Sequence, residues 1–92
     1  MGTRMEYARK MALKLREWDA AIDDLRLHAE LVDDPRRKAE YNKKIVELRE
    51  KRNEGVELLR RVHEVDQARL EEVLDAIDSL TGERRQSHKM AA

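Results

Sequence analysis

From Ala8, apolar residues recur at Met11, Leu15, Trp18, Ile22, Leu25, Ala29 and Val32, in steps that alternate three and four. A 3.5-residue period draws one apolar seam along a helix, and such a seam must pack on another helix. The run stops at Asp33-Asp34-Pro35. Pro35 disfavours helical geometry in Asp34 and suits a first helical position, so Asp34 reads as the N-cap of a second helix. The seam resumes at Tyr41, Ile45, Leu48, Arg52, Gly55, Leu59 and Val62, with a poorly apolar middle. These features predict an all-α chain built on an antiparallel helical hairpin.

Beyond Val62 the register changes. Leu70, Val73, Ile77 and Leu80 repeat in threes and fours but sit four residues out of phase. Leu48 to Leu59 to Leu70 and Val62 to Val73 are eleven-residue steps, a stutter that a continuous helix tolerates. Asp66 could equally cap a separate short helix that ends near Thr81, with Gly82 as its C-terminal cap. The expected domain spans residues 1–82, with helix one over about 3–32, helix two over about 35–64 and a terminal helical segment over about 66–81. Residues 83–92 read as a disordered polar tail.

Pairing the two seams about Asp34 brings together residues whose numbers sum to about 70. Charge blocks agree with that pairing. Glu17 to Asp34 carries a net −6 and Arg36 to Arg52 a net +5, and the hairpin lays one against the other. Surface ion pairs contribute ~0–1 kcal/mol each, so the pattern selects orientation more than it stabilises. Helix one is exhausted near Val65, which leaves the stripe Leu70, Val73, Leu74, Ile77 and Leu80 without a partner on it. Leu13, Ala20, Leu27, Leu31, Val46, Val56 and Leu58 also lie outside the seams and read as a second contact surface. Together these stripes predict a homo-oligomer, with a dimer favoured and a heterologous helical partner as the rival.

In the middle of the hairpin Trp18 faces Arg52 and Gly55. One reading makes them a packing unit, in which Gly55 leaves a hole for the indole and Arg52 lays its guanidinium over the ring. The other makes Trp18 an ordinary core residue and Gly55 a weak point in the helix.

Composition closes off other functions. Lys plus Arg equals Asp plus Glu at 20 each, so no overall field draws the chain to nucleic acid, and the basic cluster around Arg36 to Lys44 has only Tyr41 for stacking. Cysteine is absent, and His28, His63 and His88 do not converge in the hairpin, so no metal site or cofactor is expected. Asp23-Asp24 and Asp33-Asp34 lack the cleft that a general acid needs, and no phosphate-binding loop or nucleophile elbow occurs, so no enzyme is expected. No apolar run reaches ~20 residues and no signal peptide opens the chain, which points to a soluble, cytoplasmic protein. Binding to a membrane surface through the second apolar face is the alternative, opposed by the acidic terminal segment.

Leu15-Arg16-Glu17-Trp18-Asp19-Ala20-Ala21-Ile22-Asp23-Asp24-Leu25, followed by Glu40-Tyr41, Ile45 and Glu47-Leu48-Arg49, resembles a group of small bacterial coiled-coil proteins of uncharacterised function. The likeness runs from about Lys14 to Leu80. It departs at Pro35, where the group has a continuous helical stretch, and at Leu70, where an aromatic is typical. The resemblance implies a helical, non-enzymatic structural or protein-interaction module and transfers no catalytic residue.

Overall fold

The structure, a computed structural model, describes residues 3–82. The tail over 83–92, read above as disordered, lies outside the described residues. Three helices follow one another: α1 (Thr3–Leu31), α2 (Pro35–Glu64) and α3 (Gln67–Thr81). With 29 and 30 residues, α1 and α2 are each ~45 Å long at ~1.5 Å per residue and match end to end.

The hairpin turn forms as its residues dictate. Asp34 is extended, with φ −70° and ψ 119°, and its Oδ1 accepts a hydrogen bond from the Arg36 amide at 3.0 Å. Pro35 starts the helix where its missing N–H costs nothing. The register obeys the sum near 70. Arg52 meets Asp19, the His28 and Tyr41 rings lie 5.7 Å apart, and Gly55 sits against Met11, Leu15 and Trp18.

The register shift after Val62 resolves as a break. Val65 and Asp66 are extended, at ψ 151° and 173°, and turn the chain back on the hairpin. Asp66 Oδ1 accepts from the Arg69 amide at 3.1 Å and caps α3. Gly82 ends α3 in the left-handed region at φ 78°, donating its N–H to the Asp78 carbonyl at 3.0 Å.

The fold-back overturns one expectation. Leu70, Val73, Leu74 and Ile77 are between 0 and 6% exposed, packed with Tyr7, Ala8, Met11, Trp18, Leu58 and Val62 in one cluster, and Leu80 is half-buried against it. The stripe therefore has an intramolecular partner. A continuous helix would have carried these side chains past the end of α1 into water. Burying each large one is worth ~1.5–3 kcal/mol, enough to favour a break whose freed backbone groups are capped.

Two side chains from the start of α1 secure the corner. Arg4 Nη1 donates to the carbonyls of Val62 and Val65 at 2.7 and 2.8 Å, satisfying acceptors that the end of α2 leaves open. Tyr7 donates its hydroxyl hydrogen to Asp78 Oδ2 at 3.1 Å, within a buried contact, and Lys10 lies 4.9 Å above the Tyr7 ring. Charge supports the same arrangement: Met1 to Arg16 carries +4 and the acidic segment Glu64 to Leu80 carries −5. Arg4→Ala should lower the unfolding free energy by about 1.5 kcal/mol, the low end for bonds from a charged donor because the site is only part-buried. A urea midpoint unchanged from wild type would show that the two carbonyls are equally well served by water.

Candidate interaction surface

Each helix of the hairpin presents distinct sides. Taking Ala8, Leu15, Ile22 and Ala29 as heptad position a and Met11, Trp18, Leu25 and Val32 as d, Tyr7 falls at g. On α2, Ile45, Arg52 and Leu59 are a, Tyr41, Leu48, Gly55 and Val62 are d, and Leu58 is g. In the half near the chain start, α3 covers the d and g side. Met11 and Val62 are fully buried there and Tyr7 and Leu58 nearly so, while on the a side Ala8 is buried and Leu15 and Leu59 are half-buried.

The half near the turn has no third helix. Ile22, Ala29 and Ile45 on its a side are buried, whereas Leu25, Val32, Tyr41 and Leu48 on the d side are all only half-buried. These four continue the groove that α3 occupies below them. The sequence carried that signal, since all four are d positions, but reading them as core required assuming a complete bundle.

The second contact surface divides. Leu58 belongs to the core under α3, and Leu70, Val73, Leu74 and Ile77 leave the interaction surface with it, because buried side chains cannot meet a partner in the folded chain. Leu13, Leu27, Leu31, Val46 and Val56 remain, at 58, 55, 75, 51 and 48% exposed, joined by Met5 at 58%. They do not form one patch. Leu13 and Leu27, with exposed Ala20 midway, lie at position f, about 170° around α1 from its seam at ~100° per residue. Val46 projects from the outer side of α2, and Val56 flanks the seam on the side away from α3.

Of the expected packing unit, Gly55 meets Trp18, whereas the place expected for Arg52 is corrected. The Arg52 Nε lies 3.1 Å from Asp19 Oδ1, an ion pair without hydrogen-bond geometry, and not over the Trp18 ring. Asp19 is a full charge on an exposed carboxylate, which attracts a guanidinium more than the indole quadrupole does. A β-carbon placed on Gly55 would fall 2.8 Å from Met11 Cε, 2.9 Å from Leu15 Cδ2 and 3.2 Å from Trp18 Cζ3.

Surface electrostatics are otherwise local. Arg60 bridges Glu57 and Glu64 along α2, and its pKa is raised by the hydrogen bond and charge of Glu57 and then by Glu64. His28 Nδ1 donates to the Asp24 carbonyl at 2.8 Å. Open recesses are lined by Lys10, Leu13, Lys14, Glu17 and Thr81, and by Arg26, Ala29, Glu30, Lys38 and Asn42. Among the described residues no helix is long and apolar enough to cross a membrane. No protein-family model matches this chain, and neither a curated protein nor a solved structure matches it.

Proposed function

We propose that this chain is a non-catalytic helical interaction module that self-associates and serves a structural role in the cytoplasm. The observation that carries the reading is the unequal covering of the hairpin. One half has a three-helix core sealed by α3, and the other leaves Leu25, Val32, Tyr41 and Leu48 half-buried. Isolated exposed leucines are ordinary on a small protein, but four half-buried side chains along an unfinished groove, with a separate exposed stripe at Leu13 and Leu27 on the outer face of α1, are surfaces that a second copy can cover. The coiled-coil resemblance read from the Glu17-Trp18 and Glu40-Tyr41 elements points to the same class.

A heterologous partner is the second reading, favoured by the groove itself. It would be an amphipathic helix of the α3 type, acidic on its polar side, because Arg37, Lys44 and Lys51 are exposed at position g along the α2 edge of the open half. Sedimentation equilibrium over a hundredfold range of concentration tests the first reading. Self-association predicts a mass rising from 10.9 kDa toward twice that value. A monomer at the highest concentration would leave only the heterologous reading.

A further inference from the structure

The outer face of α1 carries a pattern that the core does not use and that α3 borders only at Leu13, which shares an open recess with Thr81. Leu13, Ala20 and Leu27 stand seven residues apart and all are exposed, the two leucines by more than half. The stripe is symmetric about Ala20. Reversing the helix around that residue places Leu13 where Leu27 was and leaves the small side chain at the centre, where two helices could approach closely.

Charge is arranged about the same point. Met1 to Arg16 carries +4 and Glu17 to Asp34 carries −6, so α1 changes sign within its middle turns. Two copies of α1 side by side and parallel would set like blocks together. Two copies antiparallel about Ala20 would set each basic block against the acidic block of the other, twice over. Residues whose numbers sum to 40 then lie at the same height, and like heptad positions share a flank, so at position b Arg16 comes beside Asp23 and Arg9 beside Glu30 of the second copy. All four are exposed. On the other flank Glu17 beside Asp24 is the like-charged pair near the axis, and Lys14 already lies 3.4 Å from Glu17 to offset it.

We infer that a second copy of this chain docks antiparallel along the outer face of α1, with the two-fold axis at Ala20. The inference rests on the self-association reading and specifies its surface. An isologous contact of this kind is self-complementary by construction, so Leu13 meets Leu27 on both sides of the axis. One helix face buries less than the ~1,600 Å² of a standard stable interface, so the dimer forms and dissociates with concentration. Charge complementarity, with little desolvation at this exposed site, governs the orientation and makes the association weaken with salt.

The chain has no cysteine, which allows a direct test. Ala20→Cys and, separately, Val46→Cys on the outer side of α2 are oxidised at a concentration where wild type is dimeric, with helicity checked by circular dichroism. The dimer contact predicts at least tenfold more covalent dimer from Ala20→Cys than from Val46→Cys, since only the former meets its own copy at the axis. Arg16→Asp should weaken self-association at least tenfold, and Arg16→Asp combined with Asp23→Arg should restore it, because each contact then regains opposite charges. If the mass is dimeric but Val46→Cys cross-links and Ala20→Cys does not, the α1 contact is wrong while self-association stands. Failure of the double variant to recover above the single one would also overturn the antiparallel register. A wild type that stays monomeric removes both.

Discussion

Gly55→Leu is expected to destabilise the protein even though it restores an apolar residue to the α2 seam and removes a helix-weakening glycine. A glycine in a helix interior costs ~1 kcal/mol relative to alanine, so by helical propensity alone the change should help. Packing decides otherwise. A β-carbon on Gly55 already falls 2.8 to 3.2 Å from Met11, Leu15 and Trp18, and a leucine adds three more carbons. Met11 Cε and Leu15 Cδ2 are the ends of flexible side chains, but Met11 is fully buried beneath α3 and has little room to retreat. Trp18 is rigid. Overpacking typically costs ~1–3 kcal/mol, which after the ~1 kcal/mol propensity gain leaves a net loss of up to about 2 kcal/mol. Gly55→Ala should fall between wild type and Gly55→Leu. Chemical-denaturant midpoints at equal protein concentration measure this, and a leucine variant more stable than wild type would mean that Gly55 makes no hole for the indole.

Ile77→Ala should have a larger effect. Ile77 is fully buried where α3 meets the hairpin, beside Leu74 at 1% and Val73 at 2% exposed. Large-to-small changes at such sites cost ~2–5 kcal/mol, and α3 cannot collapse to fill the space while Asp66 and Arg4 fix its start. A domain of this size has ~5–15 kcal/mol of stability in total, so the variant should lose much of its cooperative transition. Removing residues 66–92 outright should do more, because it exposes Met11, Leu58 and Val62 together. That truncation is expected to unfold the half of the hairpin near the chain start, not merely to weaken assembly. A truncated chain with a wild-type melting temperature would show that α3 does not pack as described.

Much of the fold could be read locally. The hairpin, the Asp34 cap, the Gly82 stop and the meeting of Trp18 with Gly55 all follow from spacing and from residues that act on their near neighbours. The fold-back of α3 could not be decided that way, because an eleven-residue step suits a continuous helix and a break alike. What settles it lies far along the chain. Arg4 reaches carbonyls 58 and 61 residues away, and Tyr7 meets Asp78 at a separation of 71. Hairpin arithmetic takes two helices as the whole fold, and so it assigns Leu58 and five residues of α3 to a surface, of which Leu58, Leu70, Val73, Leu74 and Ile77 are core and Leu80 is half-buried against it. A charge signal points to the fold-back, since Met1 to Arg16 and Glu64 to Leu80 carry opposite net charges, but net charge alone does not fix which segments meet. The surface that survives, on α1, was legible as exposed leucines. Its use depends on knowing that α3 borders the side opposite the seam only near Leu13 and leaves it exposed.

In this structure α3 closes the core within one chain, and the outer face of α1 is the surface proposed for self-association. A dilution series followed by amide-resolved nuclear magnetic resonance tests it most directly. The account predicts that, as the protein is diluted, chemical shifts move along α1 around Leu13, Ala20 and Leu27, while amides of Leu70, Val73, Leu74 and Ile77 hold their positions. Shifts concentrated in α3 on dilution, with the α1 amides unmoved, would contradict it and return α3 to the role of an intermolecular stripe.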